Sequence, residues 1–346
     1  MRALLKETPG PGMVLRDRPI PACGPSEVLI RVRHAGVCGT DLHIWEWDSW
    51  ASARLRPPVI IGHEFAGEIV EVGAEAEREG LLAVGDAVTA EGHIVCGHCL
   101  QCRLGAAHLC QRTRIIGVDR DGAFADFIAM PASNVMKLDG IPTEIGAIMD
   151  PMGNAVHTVL ESSVPGSSVL VLGCGPIGCF AVGVARAAGA SLVIASDFNP
   201  RRLELACAMG AHVTLNPGKD DVLARIRELT GGDGVDLVCE MSGHPSGHAQ
   251  AFAAARLGGQ VNLLGTPSTT TEVDFARDVI FKGLTLYGVT GRKMYETWHE
   301  MRRFLRAGQL DPRPVITHRF PLEEIAEAIQ VIKDGEAGKV ILEIGG

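Results

Sequence analysis

The sequence has no excess of positive charge. Its 346 residues include 32 Lys and Arg against 41 Asp and Glu, which gives a formal net charge of −9 at pH 7. Nucleic acids and anionic lipid surfaces are bound by clustered Lys and Arg, which this balance does not provide. We therefore expect no nucleic-acid partner, no membrane partner, and a small molecule as the ligand.

The chain also begins without the apolar run of a secretory signal, because charged residues and prolines interrupt it early. One uncharged stretch, residues 162–185, is long enough to cross a bilayer, but its glycines favour a buried strand, a turn and a buried helix. We therefore expect a cytoplasmic protein. In that reducing compartment the ten cysteines are expected to be thiols or metal ligands rather than disulfides.

The sequence contains no internal repeat or low-complexity tract, but the pattern of its apolar residues, glycines and prolines changes near residue 150. Before that point, short β-rich runs such as residues 28–33 are separated by Gly and Pro, which predicts a mostly antiparallel β domain. Over residues 168–291, apolar strands alternate with helical segments, which predicts a doubly wound parallel sheet. We expect domains at 1–151 and 152–293, followed by a segment 294–346 that returns to the first domain.

A glycine-rich turn lies near the start of the second predicted domain. Gly173, Gly175 and Gly178 follow the apolar residues 169–172 and precede a helical pattern. In a dinucleotide-binding turn the first glycine permits the sharp bend, the second lets the backbone approach a pyrophosphate, and the third lets the helix pack closely on the strand. The N–H groups at the helix N-terminus can then bind the phosphates.

Asp197 makes this interpretation more specific. It ends the next apolar strand, 19 residues after Gly178, where a carboxylate can accept hydrogen bonds from both hydroxyls of an adenosine ribose. Its charge would also repel a 2′-phosphate, so the sequence predicts NAD rather than NADP. Arg202 can lie over the adenine or ribose, or it can be an ordinary solvated residue of a helix, and the sequence leaves both open.

Four cysteines occur within fifteen residues, at Cys96, Cys99, Cys102 and Cys110. Four thiolates in one short loop suit the closed tetrahedral geometry of a structural zinc ion, which holds loops too irregular to be stabilised by burial. The spacing is also similar to that of iron–sulfur ligands, which is the less favoured alternative. The sequence therefore predicts one structural zinc per chain.

A second, dispersed group of metal-ligand types lies nearer the N-terminus. Cys38 and His63 offer one thiolate and one imidazole from separate segments. A catalytic zinc uses three protein ligands and keeps one position open for water or an alcohol. Either Glu64 or Asp150 can complete the set, and the sequence does not decide between them.

These motifs, in this order and at these separations, resemble the zinc-dependent medium-chain dehydrogenases over essentially the whole chain. The resemblance implies an α/β protein with a GroES-like, mostly β catalytic domain, a Rossmann domain and a homotetramer. Residues 38–50, 92–99, 150–158 and 288–298 are similar to the branch of the family that oxidises L-threonine in threonine catabolism. The implied reaction oxidises the secondary alcohol with NAD to give 2-amino-3-ketobutyrate and NADH.

The resemblance also implies the residues of the site. Cys38, His63 and Glu64 would be the catalytic-zinc residues, with Asp150 at or beside the metal. The residues that would lie against NAD are Gly173, Gly175, Ile177, Gly178, Asp197, Arg202, Leu264, Gly265, Thr266, Val289 and Thr290.

This chemistry needs a path for a proton. Zinc lowers the pKa of an alcohol toward neutrality and nicotinamide accepts the hydride, so the hydroxyl proton must leave a closed site. Thr40, two residues after Cys38, can relay it through the nicotinamide ribose to His43, because an imidazole exchanges protons with solvent near neutral pH.

Two alternative functions remain open at this point. A polyol or 2,3-butanediol dehydrogenase would use the same zinc, NAD and relay. A non-catalytic, zinc-stabilised, NAD-binding regulatory protein would have no need of Cys38, Thr40 and His43 together.

Overall fold

The computed structural model describes residues 1–345, which form two compact units. The first unit contains Met1–Asp150 and the chain from Ile316 onward, and the second contains Pro151–Val315. Residue 346, the end of the predicted return segment, lies outside the described residues.

The strands and helices are numbered in chain order. The strands are β1 (Arg2–Lys6), β2 (Val14–Asp17), β3 (Glu27–Val37), β4 (Val59–Ile60), β5 (Glu64–Val72), β6 (Ala87–Ala90), β7 (His93–Ile94), β8 (Arg114–Ile115), β9 (Phe127–Pro131), β10 (Val135–Lys137), β11 (Ser168–Leu172), β12 (Leu192–Ser196), β13 (Val213–Leu215), β14 (Val235–Glu240), β15 (Ala255–Leu263), β16 (Thr285–Gly288), β17 (Ile316–Pro321) and β18 (Lys339–Glu343). The α-helices are α1 (Gly39–Glu46), α2 (Ser49–Arg54), α3 (Ala74–Glu79), α4 (Leu100–Arg103), α5 (Thr143–Gly146), α6 (Met149–Leu160), α7 (Pro176–Ala187), α8 (Pro200–Ala208), α9 (Val222–Leu229), α10 (Pro245–Ala254), α11 (Glu296–Arg306) and α12 (Ile325–Lys333).

A seven-stranded sheet forms most of the first unit, in the order β10-β6-β5-β3-β18-β17, with β9 also paired to β3. Neighbouring strands are antiparallel except for β17 with β18. In β3, Val28, Ile30 and Val32 lie on one face of the strand and are fully buried, whereas Arg31 between the last two is exposed. The predicted mostly antiparallel β domain is confirmed.

A six-stranded parallel sheet forms the second unit, in the order β13-β12-β11-β14-β15-β16. Strands β11 and β12 are buried along nearly their whole length, as expected for parallel strands covered on both faces. Counted within the unit, this is the strand order of a Rossmann fold, which confirms the predicted doubly wound sheet. The order reverses between β11 and β14, and ligands of such sheets bind at the carboxyl ends of those strands.

The chain rejoins the first unit at Ile316, whereas the sequence analysis placed the return at residue 294. The difference lies in α11, which belongs to the second unit. Trp298 and Met301 of this helix are fully buried, and a Cβ added to Gly153 would lie 3.3 Å from Met301 Cε. The apolar face of α11 therefore packs within the second unit.

Among residues 1–345, no helix is long and apolar enough to cross a membrane. The uncharged stretch 162–185 instead contains β11, the glycine turn and most of α7. Val171 and Phe180 from this stretch are fully buried within the second unit.

Candidate metal and dinucleotide sites

The glycine turn between β11 and α7 has the geometry that its sequence predicts. Gly173 has a φ of +87°, which favours glycine, and Gly175 caps α7 without a side-chain hydrogen bond. A Cβ on Gly178 would lie 1.9 Å from the Gly173 carbonyl oxygen, so only glycine permits this approach. A Cβ on Gly175 would meet nothing within 4 Å, which leaves the backbone open to a ligand.

A cavity of about 670 Å³ lies beside this turn, at the carboxyl ends of β11, β12 and β14. Its size suits the adenosine part of a dinucleotide. The lining residues that the later argument uses are Gly173, Asp197, Arg202, Ser242, His244 and Gly247.

Asp197 is held at the edge of this cavity by backbone hydrogen bonds. Its Oδ2 accepts from the N–H of Cys174 at 2.8 Å, and its Oδ1 accepts from the N–H of Asn199 at 2.8 Å. Arg202 Nη1 lies 3.8 Å from Asp197 Oδ2, so the guanidinium faces the carboxylate that the sequence predicts to bind the ribose. A carboxylate fixed in this way can still accept ribose hydroxyls, because each oxygen has a second lone pair.

The other predicted NAD residues lie at the same edge of the parallel sheet but do not line this cavity. Ile177 is in the first turn of α7, Leu264, Gly265 and Thr266 follow β15, and Val289 and Thr290 follow β16. The Val289 N–H donates to the Leu263 carbonyl at 2.9 Å, so the backbone after β16 is held against β15. Their contact with NAD remains a prediction.

The four clustered cysteines come together as the sequence predicts. Their sulfur atoms all lie within 4.8 Å of one another, with Cys99 to Cys102 at 3.5 Å, Cys96 to Cys110 at 3.6 Å and Cys99 to Cys110 at 3.9 Å. Sulfurs around one tetrahedral zinc ion are about 3.8 Å apart, since each Zn–S bond is about 2.3 Å. A four-iron cluster would hold them further apart, so this spacing fits a single zinc ion.

The backbone of this loop also favours the thiolate form that binds metal. Hydrogen bonds from the N–H groups of Cys102 and Gln111 lower the pKa of the Cys99 thiol to about 6. Cys99 is therefore held as a thiolate near neutral pH, whereas burial and the neighbouring thiols raise the pKa of Cys102.

The second metal-ligand group contains Cys38 and His63, and it adds a residue to which the sequence analysis gave no role. Cys38 Sγ lies 3.1 Å from His63 Nε2, and Asp41 Oδ1 lies 3.9 Å from His63 Nδ1. The ligand atoms of all three residues lie within 4.8 Å of one another. Asp41 is fully buried, and this burial raises the pKa of its carboxyl.

The start of α1 explains how Cys38 and Asp41 are positioned. Cys38 is the N-cap: its sulfur accepts from the Thr40 N–H at 3.3 Å, and its own N–H donates to Asp41 Oδ2 at 2.9 Å. This reciprocal pair is a capping box, with Cys at the N-cap and Asp three residues later. An acidic residue three positions after a predicted N-cap is the sequence pattern that could have identified Asp41.

The buried polar atoms of this group fit a metal ion. Asp41 Oδ1 and His63 Nδ1 are buried without hydrogen-bond partners, while His63 Nε2 faces the Cys38 sulfur. Burial by itself would lower the pKa of His63, but the neighbouring Cys38 outweighs it and the pKa is raised well above its ordinary value. A soft sulfur and an imidazole nitrogen are the donors that zinc prefers, and a carboxylate behind the other ring nitrogen is a common way to orient such a histidine.

Glu64 is paired with a lysine that the sequence analysis did not identify. Its Oε2 lies 2.5 Å from Lys339 Nζ, which also donates to the Val37 carbonyl at 2.8 Å, and both charged side chains are almost completely buried. Burial by itself would lower the pKa of Lys339, but Glu64 outweighs it and raises the pKa. Lys339 begins β18, far from Glu64 in sequence, so only the sheet order brings them together.

Asp150, the other predicted third ligand, is buried in the first turn of α6. A Cβ on Gly92 would lie 3.8 Å from its Oδ2. Neither Asp150 nor Glu64 is within the group formed by Cys38, Asp41 and His63, so the choice of third ligand remains a proposal.

The two predicted relay residues lie on α1. Thr40 is half-buried in its first turn, and His43 is exposed one turn later. His43 Nδ1 lies 2.6 Å from Asp48 Oδ2, and the His43 ring centre is 6.0 Å from that of Trp50. The ring is thus held through one nitrogen, and its proton-transfer role remains a prediction.

Comparison with known proteins identifies the class. Residues 24–140 match the family described as alcohol dehydrogenase GroES-like domain, and residues 176–307 match zinc-binding dehydrogenase. An alcohol dehydrogenase from Thermus sp. ATN1 has a TM-score of 0.90 at 30% identity, with 100% of each chain covered. The 2R,3R-butanediol dehydrogenase of Bacillus subtilis has a TM-score of 0.90 at 27% identity, with 99% of each chain covered. The chain belongs to the zinc-binding alcohol dehydrogenase family.

Within this family, the chain is similar over its whole length to L-threonine 3-dehydrogenases. It is 49% identical to that of Symbiobacterium thermophilum over 344 residues, which cover 99% of this chain and 97% of the relative. It is 48% identical to that of Bacillus subtilis and 44% identical to that of Pyrococcus horikoshii, with 99% of this chain and 98% of each relative covered.

Proposed function

We propose that the protein oxidises the secondary alcohol of L-threonine with NAD, giving 2-amino-3-ketobutyrate and NADH, as a step of threonine catabolism. The observation that carries this proposal is the identity of 44–49% over 99% of the chain to enzymes of that name. The paired Cys38 and His63 and the glycine turn supply the two sites that such a reaction needs.

Cys38 and His63 would bind the catalytic zinc, with either Glu64 or Asp150 as the third protein ligand. Zinc would make the alcohol hydroxyl more acidic and NAD would accept the hydride. Asp41 would orient His63 by facing its Nδ1.

Thr40 and His43 would move the hydroxyl proton. The Thr40 hydroxyl can accept and pass on a proton next to the metal ligand Cys38. His43 lies nearer solvent, and Asp48 engages its Nδ1, which leaves Nε2 able to exchange a proton with water.

A comparison of NADH formation with different alcohols tests this proposal directly. We expect rapid NADH formation with L-threonine, and little with sorbitol or 2,3-butanediol at equal concentration. Chelation should abolish the activity and added zinc should restore it. Preferential turnover of sorbitol or 2,3-butanediol would favour the polyol or butanediol alternative, and no turnover of any alcohol by zinc-loaded protein would favour the regulatory alternative.

Replacing Asp197 by Ser should shift the cofactor preference toward NADP. The change removes a charged acceptor for the ribose hydroxyls and a charge that repels a 2′-phosphate. Such a hydrogen bond contributes about 1.5–3 kcal/mol, so the ratio of kcat/KM for NAD to that for NADP should fall about 10- to 100-fold. Asp233→Ser, at an exposed aspartate of the same unit, is the matched control, and an unchanged ratio in Asp197→Ser would contradict the assignment.

We also propose a cytoplasmic homotetramer. Strand β16 is at the edge of its sheet, where an unpaired backbone can accept another strand. Large apolar side chains are exposed in the same unit, among them Leu257, Ile280 and Phe281, which supports burial against another copy. The four thiols at metal-ligand spacing support a reducing compartment.

A further inference from the structure

Glu240 is a completely buried carboxylate to which neither the sequence analysis nor the proposed mechanism gives a role. It is the last residue of β14, beside the point where the strand order of the parallel sheet reverses. A buried carboxylate is costly unless hydrogen bonds satisfy its oxygens. Its partners therefore indicate what it stabilises.

The Glu240 side chain and backbone bind two neighbouring loops. Its Oε1 accepts from the N–H groups of Ser242 at 3.0 Å and Gly243 at 3.2 Å, and also from the Ser242 hydroxyl. Its carbonyl oxygen accepts from the N–H groups of Leu264 and Gly265, each at 3.0 Å. One residue thus fixes the turn after β14 and the start of the loop after β15.

The turn at Ser242 and Gly243, which Glu240 binds, packs closely against the glycine turn of the dinucleotide site. A Cβ on Gly173 would lie 2.8 Å from the Ser242 nitrogen, and a Cβ on Gly243 would lie 2.7 Å from the Thr266 carbonyl oxygen. Ser242 also lines the cavity. Because these backbones are in such close contact, a displaced Ser242 would move the wall of the cavity.

His248, a residue of α10, contacts the Glu240 carboxylate. Its Nε2 lies 3.5 Å from Glu240 Oε2, and its Nδ1 lies 3.3 Å from Thr271 Oγ1, with the ring almost fully buried. The first turn of α10 contributes Gly247 to the cavity, and a Cβ there would lie 2.4 Å from Ser242 Oγ. His248 therefore docks α10 onto the turn that Glu240 holds.

We propose that Glu240 and His248 are positioning residues that set the affinity for NAD. They hold the Ser242 turn and the start of α10 in the arrangement that shapes the cavity, without touching the reacting atoms. This inference rests on the NAD-binding part of the proposed function, and it is independent of which alcohol is oxidised.

The first test is Glu240→Gln in the full-length, zinc-loaded protein, with NAD titrated in the absence of any alcohol. The substitution keeps the shape but puts an amide NH₂ against the N–H of Gly243 or the ring of His248. We expect the Kd for NAD to rise about tenfold, equivalent to about 1.4 kcal/mol. In turnover, the KM for NAD should rise by a larger factor than kcat falls.

Asp236→Asn is a matched control, because Asp236 lies toward the opposite end of the same strand. Its Oδ2 accepts from the N–H of Ser168 at 2.8 Å and from its hydroxyl at 2.7 Å, which resembles the way Glu240 binds Ser242. The control should lower the melting temperature while the Kd for NAD stays within about twofold of wild type. Equal effects on the Kd in both variants, or none in Glu240→Gln, would overturn the proposal.

His248 provides a second test if Glu240→Gln fails to fold. His248→Leu should raise the Kd for NAD, whereas His248→Gln should recover most of the affinity because its amide can still donate to Glu240. Wild-type affinity in His248→Leu would overturn the proposal. Failure to oxidise L-threonine would contradict the proposed substrate and leave these NAD titrations valid, so the two failures are distinguishable.

Discussion

Cys38→Ala is expected to lose one of about two zinc ions per chain and to lower the rate of L-threonine oxidation by at least about 10³. A metal acting as a Lewis acid stabilises the transition state by several kcal/mol. Each 1.36 kcal/mol added to the activation free energy slows the reaction about tenfold. The substitution removes the sulfur that faces His63 Nε2. Metal analysis and steady-state kinetics on the same preparation measure both effects, and the Kd for NAD should stay near wild type.

Two other cysteines provide controls for this result. Cys207 is exposed and lies outside both metal-ligand groups, so Cys207→Ala should keep about two zinc ions and wild-type turnover. Cys99→Ser should also lose one zinc ion, but with a loss of stability or assembly that exceeds any loss of activity in the folded fraction. If Cys38→Ala kept two zinc ions and normal turnover, Cys38 would not be a ligand of the catalytic metal.

Thr40→Ala is expected to lower kcat by about 10² to 10⁴, or somewhat less, because a positioned proton-transfer group contributes rate factors of that size. Zinc content and NAD affinity should stay near wild type. The N–H that donates to the Cys38 sulfur belongs to the backbone and is kept in the variant. Pre-steady-state and steady-state NADH formation at several pH values would measure the loss.

Thr40→Ser is the matched control, since it keeps the hydroxyl and should recover most of the rate. His43→Ala should lose less than Thr40→Ala if water or buffer can replace an exposed imidazole, and it should change the pH dependence of kcat. Wild-type rates for both alanine variants across pH 6 to 9 would show that Thr40 and His43 serve only the local structure of α1.

The dinucleotide turn and the four-cysteine loop could be predicted because their residues are close in sequence. Gly173, Gly175 and Gly178 span one strand-to-helix connection. Their spacing alone predicts a tight turn with close packing of the helix on the strand. The thiols of Cys96 and Cys110 are 14 residues apart, so bringing them together closes only a short loop and costs little chain entropy. Because the residues of each motif are close in sequence, few other arrangements of their side chains are available.

The remaining parts of the site depend on strand order, which local sequence does not specify. Lys339 is 302 residues from Val37, to which it donates, and no local pattern distinguishes it from a surface lysine. Glu240 ends an apolar strand, as many acidic residues do, and its role depends on the approach of Gly265 from the loop after β15. Asp41 lies within residues 38–50, which the sequence analysis compared with the family, but its burial against His63 required the fold.

The position of β18 affects how the protein is made. This strand pairs with β3 and brings Lys339 to Glu64, yet residues 1–150 leave the ribosome long before residues 339–343. During that interval part of β3 has an unpaired edge, and Glu64 has no ammonium partner. Strands β11 to β16 follow one another in the chain, so the parallel sheet can pair fully as soon as it is synthesised. The first unit is therefore the part of the nascent chain most exposed to wrong strand pairing, and it stays so until residues 316–343 have been made.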